Sequence, residues 1–275
     1  SSVPGLVVDD HGDYSTLPDR LAATLTGTDL QSGIQSYRYR VGTEAAPALV
    51  APDTALAAKG GFQDVEELLV NSPTRLTDGG IYFFDVSLAN NAGLSNGTRS
   101  DGVMVDTLAP RIAAVADDGV YTRNNQELFA SWTAQATPSG IVEYEYALTT
   151  NPNETAPVWQ SAGPAAGLSS GSVLVKNLAL TDGVTYYFLI RAKNAAGTYT
   201  PAAQIGRSDG ITVDTSPPPA PVVQDDGAYT TSRLHLHWEA DDPHSGVKGY
   251  RYAVGTTRGG WDVTGGWVEV ATNAK

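Results

Sequence analysis

A motif that returns at one fixed spacing limits this chain more than any other feature. Val8-Asp9-Asp10-His11-Gly12-Asp13-Tyr14 recurs as Ala116-Asp117-Asp118-Gly119-Val120-Tyr121-Thr122 and again as Gln224-Asp225-Asp226-Gly227-Ala228-Tyr229-Thr230. The first aspartates of these copies, Asp9, Asp117 and Asp225, stand 108 residues apart at each step. A second marker, Ser32-Gly33-Ile34-Gln35-Ser36-Tyr37-Arg38-Tyr39, returns from Ser139 to Tyr146 and from Ser245 to Tyr252. A third, Leu76-Thr77-Asp78-Gly79 followed by Tyr82, is matched by Leu180-Thr181-Asp182-Gly183 followed by Tyr186. A fourth runs from Ser100 through Val105-Asp106-Thr107 and is matched from Ser208 through Val213-Asp214-Thr215. Markers that keep one order and return after 104 to 108 residues define structural units in tandem.

The fourth marker sets the boundaries. Each unit ends at Val-Asp-Thr and passes through a proline-bearing link, Leu108-Ala109-Pro110 or Ser216-Pro217-Pro218-Pro219. The expected units are therefore 1–108, 109–216 and a partial third at 217–275. Proline fixes φ and stiffens such links toward an extended form. The third unit stops just before the counterpart of Val173-Leu174-Val175. The expectation is a fragment of a longer array; the alternative is completion by a partner strand.

Within each unit the apolar pattern has a period of two. Tyr37, Tyr39 and Val41 share one face while Arg38 and Arg40 share the other; Tyr144, Tyr146 and Leu148 alternate with Glu143 and Glu145. Tyr82, Phe84, Val86 and Leu88 repeat the pattern, as do Tyr186, Phe188, Ile190 and Ala192, with Arg191 and Lys193 turned to water. Leucine and tryptophan share a face at Leu128 to Trp132 and at Leu234 to Trp238, with Leu25 in the place of the tryptophan in the first unit. Such alternation marks half-buried antiparallel strands. The one segment open to a helical reading, Asp64 to Leu69, is short enough to be a single turn. The 29 glycines and 16 prolines supply turns between short strands. The predicted fold class is all-β, a tandem of antiparallel two-sheet sandwiches of the immunoglobulin-like kind.

The run Leu76, Gly79, Tyr82, then alternating apolar residues and Leu88-Ala89-Asn90, resembles the fibronectin type III module, as does Leu180, Gly183, Tyr186 followed by Ala192-Lys193-Asn194-Ala195-Ala196-Gly197. The resemblance implies that Trp132 and Trp238 are the second-strand tryptophans of that module. It also implies that Tyr82 and Tyr186 form its tyrosine corner, the hydroxyl returning to upstream backbone. The Ser-Gly-Ile segment and the Val-Asp-Thr ending are similar to repeats in large prokaryotic surface proteins.

Charge and composition exclude several roles. With 30 acidic and 17 basic residues the net charge is −13, which opposes nucleic acid and anionic membrane surfaces. The absence of cysteine excludes disulfides, thiolate metal sites and cysteine nucleophiles. No apolar run approaches the ~20 residues that span a bilayer. Ser1-Ser2-Val3-Pro4 shows no basic start followed by an apolar stretch. If the protein is exported, the expectation is a mature or cut form.

Candidate chemistry is sparse. His11, His235, His237 and His244 lie in no nucleophile motif. His235 and His237 project from one strand face and would in principle hold zinc with His244 or Asp242; the competing reading is two solvent-facing residues. The repeated aspartates carry a sharper idea. Asp117 and Asp118 in the first loop, Asp182 before the tyrosine strand and Asp214 at the end of the last strand should gather at one pole. That pole faces Asp241 and Asp242 in the second loop of the next unit. Carboxylates converging there would favour calcium, which takes six to eight oxygens. Against it, Asp and Gly are ordinary turn residues, and the first junction carries Ala136 in place of Asp242. Two sequons, Asn96-Gly97-Thr98 and Asn153-Glu154-Thr155, fall in predicted loops where a glycan would sit. Trp267 aligns with Trp159 as a structural residue, whereas Trp261 has no counterpart and would suit packing or a sugar ring.

The expected function is that of a non-catalytic structural or adhesive scaffold in an extracellular or cell-surface protein, with its sheet edges open to assembly. Its partners would be other copies, other surface proteins or glycans. The alternatives are a binding module for glycan or protein, and a spacer inside a large secreted hydrolase.

Overall fold

The computed structural model describes residues 3–165, 167–225, 227–230 and 233–271. Asp226, in the third copy of the Asp-Asp motif, lies outside the described residues.

The first unit holds nine strands: β1 (Gly5–Asp9), β2 (Tyr14–Ser15), β3 (Arg20–Thr28), β4 (Ile34–Gly42), β5 (Ala51–Ala57), β6 (Gln63–Asn71), β7 (Ile81–Asn90), β8 (Ser95–Arg99) and β9 (Val103–Val105). They form two sheets. One has the order β1-β3-β6; the other has the order β2-β9-β7-β4-β5, with β8 also on β7. Every pairing is antiparallel except β2 with β9. The second unit repeats the plan with β10 (Arg111–Asp117), β11 (Tyr121–Thr122), β12 (Leu128–Gln135), β13 (Ile141–Thr149), β14 (Gln160–Pro164), β15 (Ser170–Val175), β16 (Thr185–Asn194), β17 (Gly206–Arg207) and β18 (Ile211–Val213). Its sheets are β10-β12-β15 and β11-β18-β16-β13-β14, with β17 on β16.

Each sandwich closes on the residues that alternate inward. In the first unit Leu25, Tyr37, Val41, Phe84, Leu88 and Val105 are fully buried between the sheets. In the second, Leu128, Ile141, Phe188, Ile190 and Ile211 do the same, and Trp132 packs edge-on against Tyr144 at 5.4 Å. Each such side chain contributes about 1.5–3 kcal/mol on burial. Leu25 fills the place of Trp132 in the first core.

The Ser-Gly marker is a strand-entry device. Gly33, Gly140 and Gly246 take φ of +74°, +75° and +73°, the left-handed region that glycine enters without a Cβ clash. The following strand enters its sheet through a register slip, between Ile34 and Ser36 in β4 and between Ile141 and Glu143 in β13. The slip sets the tyrosines inward.

The segment from Asp64 to Leu69 is not helical. It belongs to β6, which pairs with β3 from Arg20 opposite Asn71 to Thr28 opposite Gln63. Its inward face carries Asp64 and Glu66 with Leu68 and Val70, while Leu69 points out, 59% exposed. Lys59 sustains the inward acids, its Nζ lying 3.1 Å from Glu66 and its backbone N–H donating to Asp64 at 3.2 Å. Charged residues on the core face and leucine on the solvent face concealed the period of two.

The described part of the third unit has four strands, β19 (Val222–Asp225), β20 (Leu236–Glu239), β21 (Gly249–Tyr252) and β22 (Val268–Ala271). They pair as β19-β20 and β21-β22. Trp238 contacts Tyr250 and Tyr252 at 6.1 and 5.7 Å between ring centroids. Among the described residues no helix is long and apolar enough to cross a membrane.

Candidate functional site: the junctions between units

The repeated motifs meet where one unit passes into the next. The Leu-Thr-Asp-Gly turn is held first from within. Tyr82 Oη accepts a hydrogen bond from Thr77 N–H at 2.9 Å, and Tyr186 Oη one from Thr181 N–H at 3.0 Å, which is the tyrosine corner. The aspartate of each turn then binds the threonine of its own Val-Asp-Thr ending. Asp78 accepts from Thr107 N–H and Oγ1 at 2.6 and 3.1 Å; Asp182 accepts from Thr215 N–H and Oγ1 at 2.7 and 3.0 Å. The chain end of each unit is thus clamped to its tyrosine turn.

The aspartate of Val-Asp-Thr reaches forward instead. At the first junction Asp106 is fully buried. Its Oδ2 accepts from Thr137 Oγ1 at 2.5 Å, Ser139 N–H at 3.0 Å, Ser139 Oγ at 2.6 Å and Asn194 Nδ2 at 3.2 Å. Its Oδ1 accepts from Leu108 N–H at 3.1 Å. Burial pushes the Asp106 carboxyl upward, but the hydrogen bonds of Ser139, Thr137 and the backbone outweigh it and hold the group below the usual carboxylate range.

The second junction is built differently. Asp214 accepts from Ser245 N–H and Ser216 N–H, each at 3.1 Å. Its carboxyl is held low mainly by Ser245, and that of Asp182 mainly by the Ser216 hydroxyl and Thr215 N–H. His244 stands where the first junction has Pro138. Its Nδ1 lies 3.5 Å from Asp182 and 3.8 Å from Asp214. Gly183 makes room for it: φ is +76°, and a Cβ there would come within 2.6 Å of His244 Nε2. Gly79 plays the same part toward Pro138, with φ of +82° and 3.4 Å to the ring.

The four aspartates expected at one pole of the second unit, and the two expected to face them from the third, are divided. Asp182 and Asp214 come together with His244, their ligand atoms all within 4.8 Å of one another. Asp117 and Asp118 lie instead at the kink between β10 and β11, where Asp117 accepts from Gly119 and Gly210 N–H and Asp118 from Phe129 N–H. Asp242 is buried and caps its own loop, accepting from the N–H groups of His244, Ser245 and Gly246 at 3.1–3.2 Å; Asp241 is exposed. At the Asp182, Asp214 and His244 cluster the protein offers two carboxylates and an imidazole, against the six to eight oxygens of a calcium site. All four carboxylate oxygens already accept from Thr215, Ser216 or Ser245. The two aspartates are therefore held by hydrogen bonds from Thr215, Ser216 and Ser245, while His244 Nδ1 stands beside them at ion-pair distance without a hydrogen bond.

Of the histidines of the zinc reading, His244 belongs to this cluster and His235 and His237 do not. His237 is exposed on β20, and His235 precedes that strand, also exposed. Asn96 lies in strand β8, not in a loop, with its Nδ2 donating to Pro4 O at 2.9 Å; the regular pairing of β7 with β8 continues across it. Asn153 is in an exposed turn. Trp159 lies against the Arg191 guanidinium at 4.4 Å, and Tyr199 lies at 4.4 Å from the same group, which also pairs with Glu145. Trp261 and Trp267 are 55% and 62% exposed. Sequence reasoning missed Asp106 and Asn194. The available signal was Ala136, a loop without the carboxylate that both other copies carry.

No family model matches the chain. Chitinase A1 of Niallia circulans is 30% identical over 192 residues, 65% of this chain and 24% of that protein, so the chain spans about a quarter of that relative's length. Among solved structures, the FN1–FN3 domains of chicken CNTN1 are similar at 18% identity and a TM-score of 0.30, over 98% of this chain and 85% of that one. The fibronectin(III)-like modules of Clostridium thermocellum CbhA are similar at 10% identity and a TM-score of 0.42, over 76% of this chain and 94% of that one. With TM-scores below 0.5, the assignment rests on this chain's own strand order, core and tyrosine corners. On those grounds the chain is a tandem of antiparallel two-sheet β-sandwiches whose strand order and tyrosine corners resemble those of the fibronectin type III module.

Proposed function

We propose that the chain is a non-catalytic, semi-rigid spacer of an exported protein, which holds other parts of that protein at a set separation. The observation that carries this reading is the first junction, where one buried carboxylate of the first module accepts four hydrogen bonds from the second, besides one from Leu108 N–H in its own. A flexible tether has no use for such a contact. Fibronectin type III-like sandwiches host many roles and are generally not catalytic, so the function lies in the spacing.

The reading is tested on the full chain with spin labels at one exposed site in each of the first two modules. The expected result is a single narrow distance distribution. A broad distribution, typical of a free linker, would remove the spacer reading.

Between a surface lattice and a spacer inside a secreted hydrolase, the likeness over 192 residues to chitinase A1 favours the second. On that reading catalysis belongs to a domain outside this chain, and the chain alone stays monomeric. Regular filaments seen by electron microscopy at high protein concentration would instead support the lattice.

A further inference from the structure

The three copies of the loop before the Ser-Gly marker, between β3 and β4, β12 and β13, and β20 and β21, differ at one position, and the difference changes which module stabilises the loop. In the first module Asp29 caps its own loop: it accepts from Gln31 N–H at 2.9 Å, Ser32 N–H at 2.8 Å and Asn90 Nδ2 at 2.6 Å. In the third, Asp242 accepts from the corresponding loop N–H groups. In the second module the equivalent residue is Ala136, which has no acceptor. The loop donors are nevertheless present. Ser139 and Asn194 of the second module match Ser32 and Asn90 of the first, and Asn194, like Asn90, is fully buried. Their acceptor is Asp106, which comes from the first module.

From this we infer that the N-terminal pole of the second module is a carboxylate-receiving site. Thr137, Ser139 and Asn194 form it, and its partner is the Val-Asp-Thr ending of a preceding like module. Asn194 is fully buried and Thr137 and Ser139 are half-buried, and although Asn194 Nδ2 also donates to Thr137 Oγ1 at 3.0 Å, the loss of the charged acceptor they share is costly, so the second module depends on its neighbour for full stability. Asn194 Nδ2 also donates to Leu108 O at 3.1 Å, so the site reads the backbone of the link as well as the carboxylate. The third module differs because it brings Asp242 and uses Asp214 only as a second acceptor. Dependence on the preceding module is therefore built into the first junction and not the second.

The test uses the full chain with Asp106→Ala, Asp214→Ala, and Asp106→Ala combined with Ala136→Asp. Ala136 is exposed, which leaves room for the new side chain. Stability is read module by module through hydrogen exchange during thermal unfolding, on peptides from β4 and β7, from β13 and β16, and from β21. The expected result is a fall of about 5–15 °C in the transition of the second module on Asp106→Ala, with the first module changing by less than about 3 °C. Adding Ala136→Asp should restore the second module, and Asp214→Ala should leave the third within about 3 °C of the parent. If Asp106→Ala lowers the first module as much as the second, or if Ala136→Asp restores nothing, the donated-carboxylate account is wrong. Asp106→Asn keeps the side-chain shape and serves if the alanine variant does not fold. It should weaken the second module in the same direction, and an unchanged second module would count against the account.

Discussion

Tyr82 and Tyr186 do the same job in settings that differ in solvent access. Tyr82 Oη accepts Thr77 N–H in a half-buried turn, whereas Thr181 N–H meets Tyr186 Oη in an exposed one. Water replaces a lost acceptor only where it can reach. Tyr82→Phe is therefore expected to cost about 1–2 kcal/mol in urea unfolding and Tyr186→Phe less than about 1 kcal/mol. Equal costs would mean that the corner contributes through ring packing and not through the hydroxyl. Two other tyrosines report on burial itself. Burial pushes the Tyr37 phenol up to about 12, aided by the Asp64 and Glu66 carboxylates, and burial alone pushes Tyr144 up to about 12. A phenol whose folded pKa lies above its unfolded value of about 10 stabilises the fold fully below pH ~10 and ceases to do so as pH rises toward ~12. In an alkaline titration followed by tyrosinate absorbance, Tyr37→Phe and Tyr144→Phe should each remove a late step that coincides with unfolding. Ionisation of all tyrosines in the folded chain near pH 10 would contradict this.

At the scale of strands and turns, side-chain alternation sufficed for β3, β4, β7, β12, β13 and β16. Each has one clean apolar face, and a period of two reads directly as a sheet surface. It failed for β6, where Asp64 and Glu66 face inward and Leu69 outward, an arrangement fixed by pairing with β3 and by Lys59. It failed also for Asn96, whose small polar neighbours look like a loop but pair along β7. The turn glycines carry a separable prediction. Gly79→Ala meets only the left-handed backbone penalty of about 1–2 kcal/mol, because the Pro138 ring at 3.4 Å is in ordinary contact. Gly183→Ala adds a clash with His244 at 2.6 Å. It should therefore also shift the His244 imidazole resonances by NMR, and unchanged resonances would show that the ring is not held at the junction.

For the molecule as a whole, the junctions decide how the modules behave together. The carboxylates of Asp182 and Asp214 are already engaged by Thr215, Ser216 and Ser245, so the second junction should not require an ion. Melting temperatures with and without chelator are expected to agree within about 1 °C, since a bound stabilising ion would shift the transition by mass action. A clear fall on chelation would return calcium or another divalent cation to this cluster.

Repeat spacing, strand alternation, the tyrosine corners and the positive-φ glycines are local or periodic properties, and the chain states them directly. Which carboxylate meets which loop is a different matter. Asp106 finds Ser139 at a separation of 33 residues and Asn194 at 88, across a boundary between modules. Periodicity tells which face a residue occupies but not which neighbouring loop its oxygens reach. For that reason Asp117 and Asp118, which look like junction residues, turn out to pin a kink. The aspartate that ends the first module completes the second because the packed sandwiches bring a buried carboxylate to a loop whose own sequence carries Ala136 in that place.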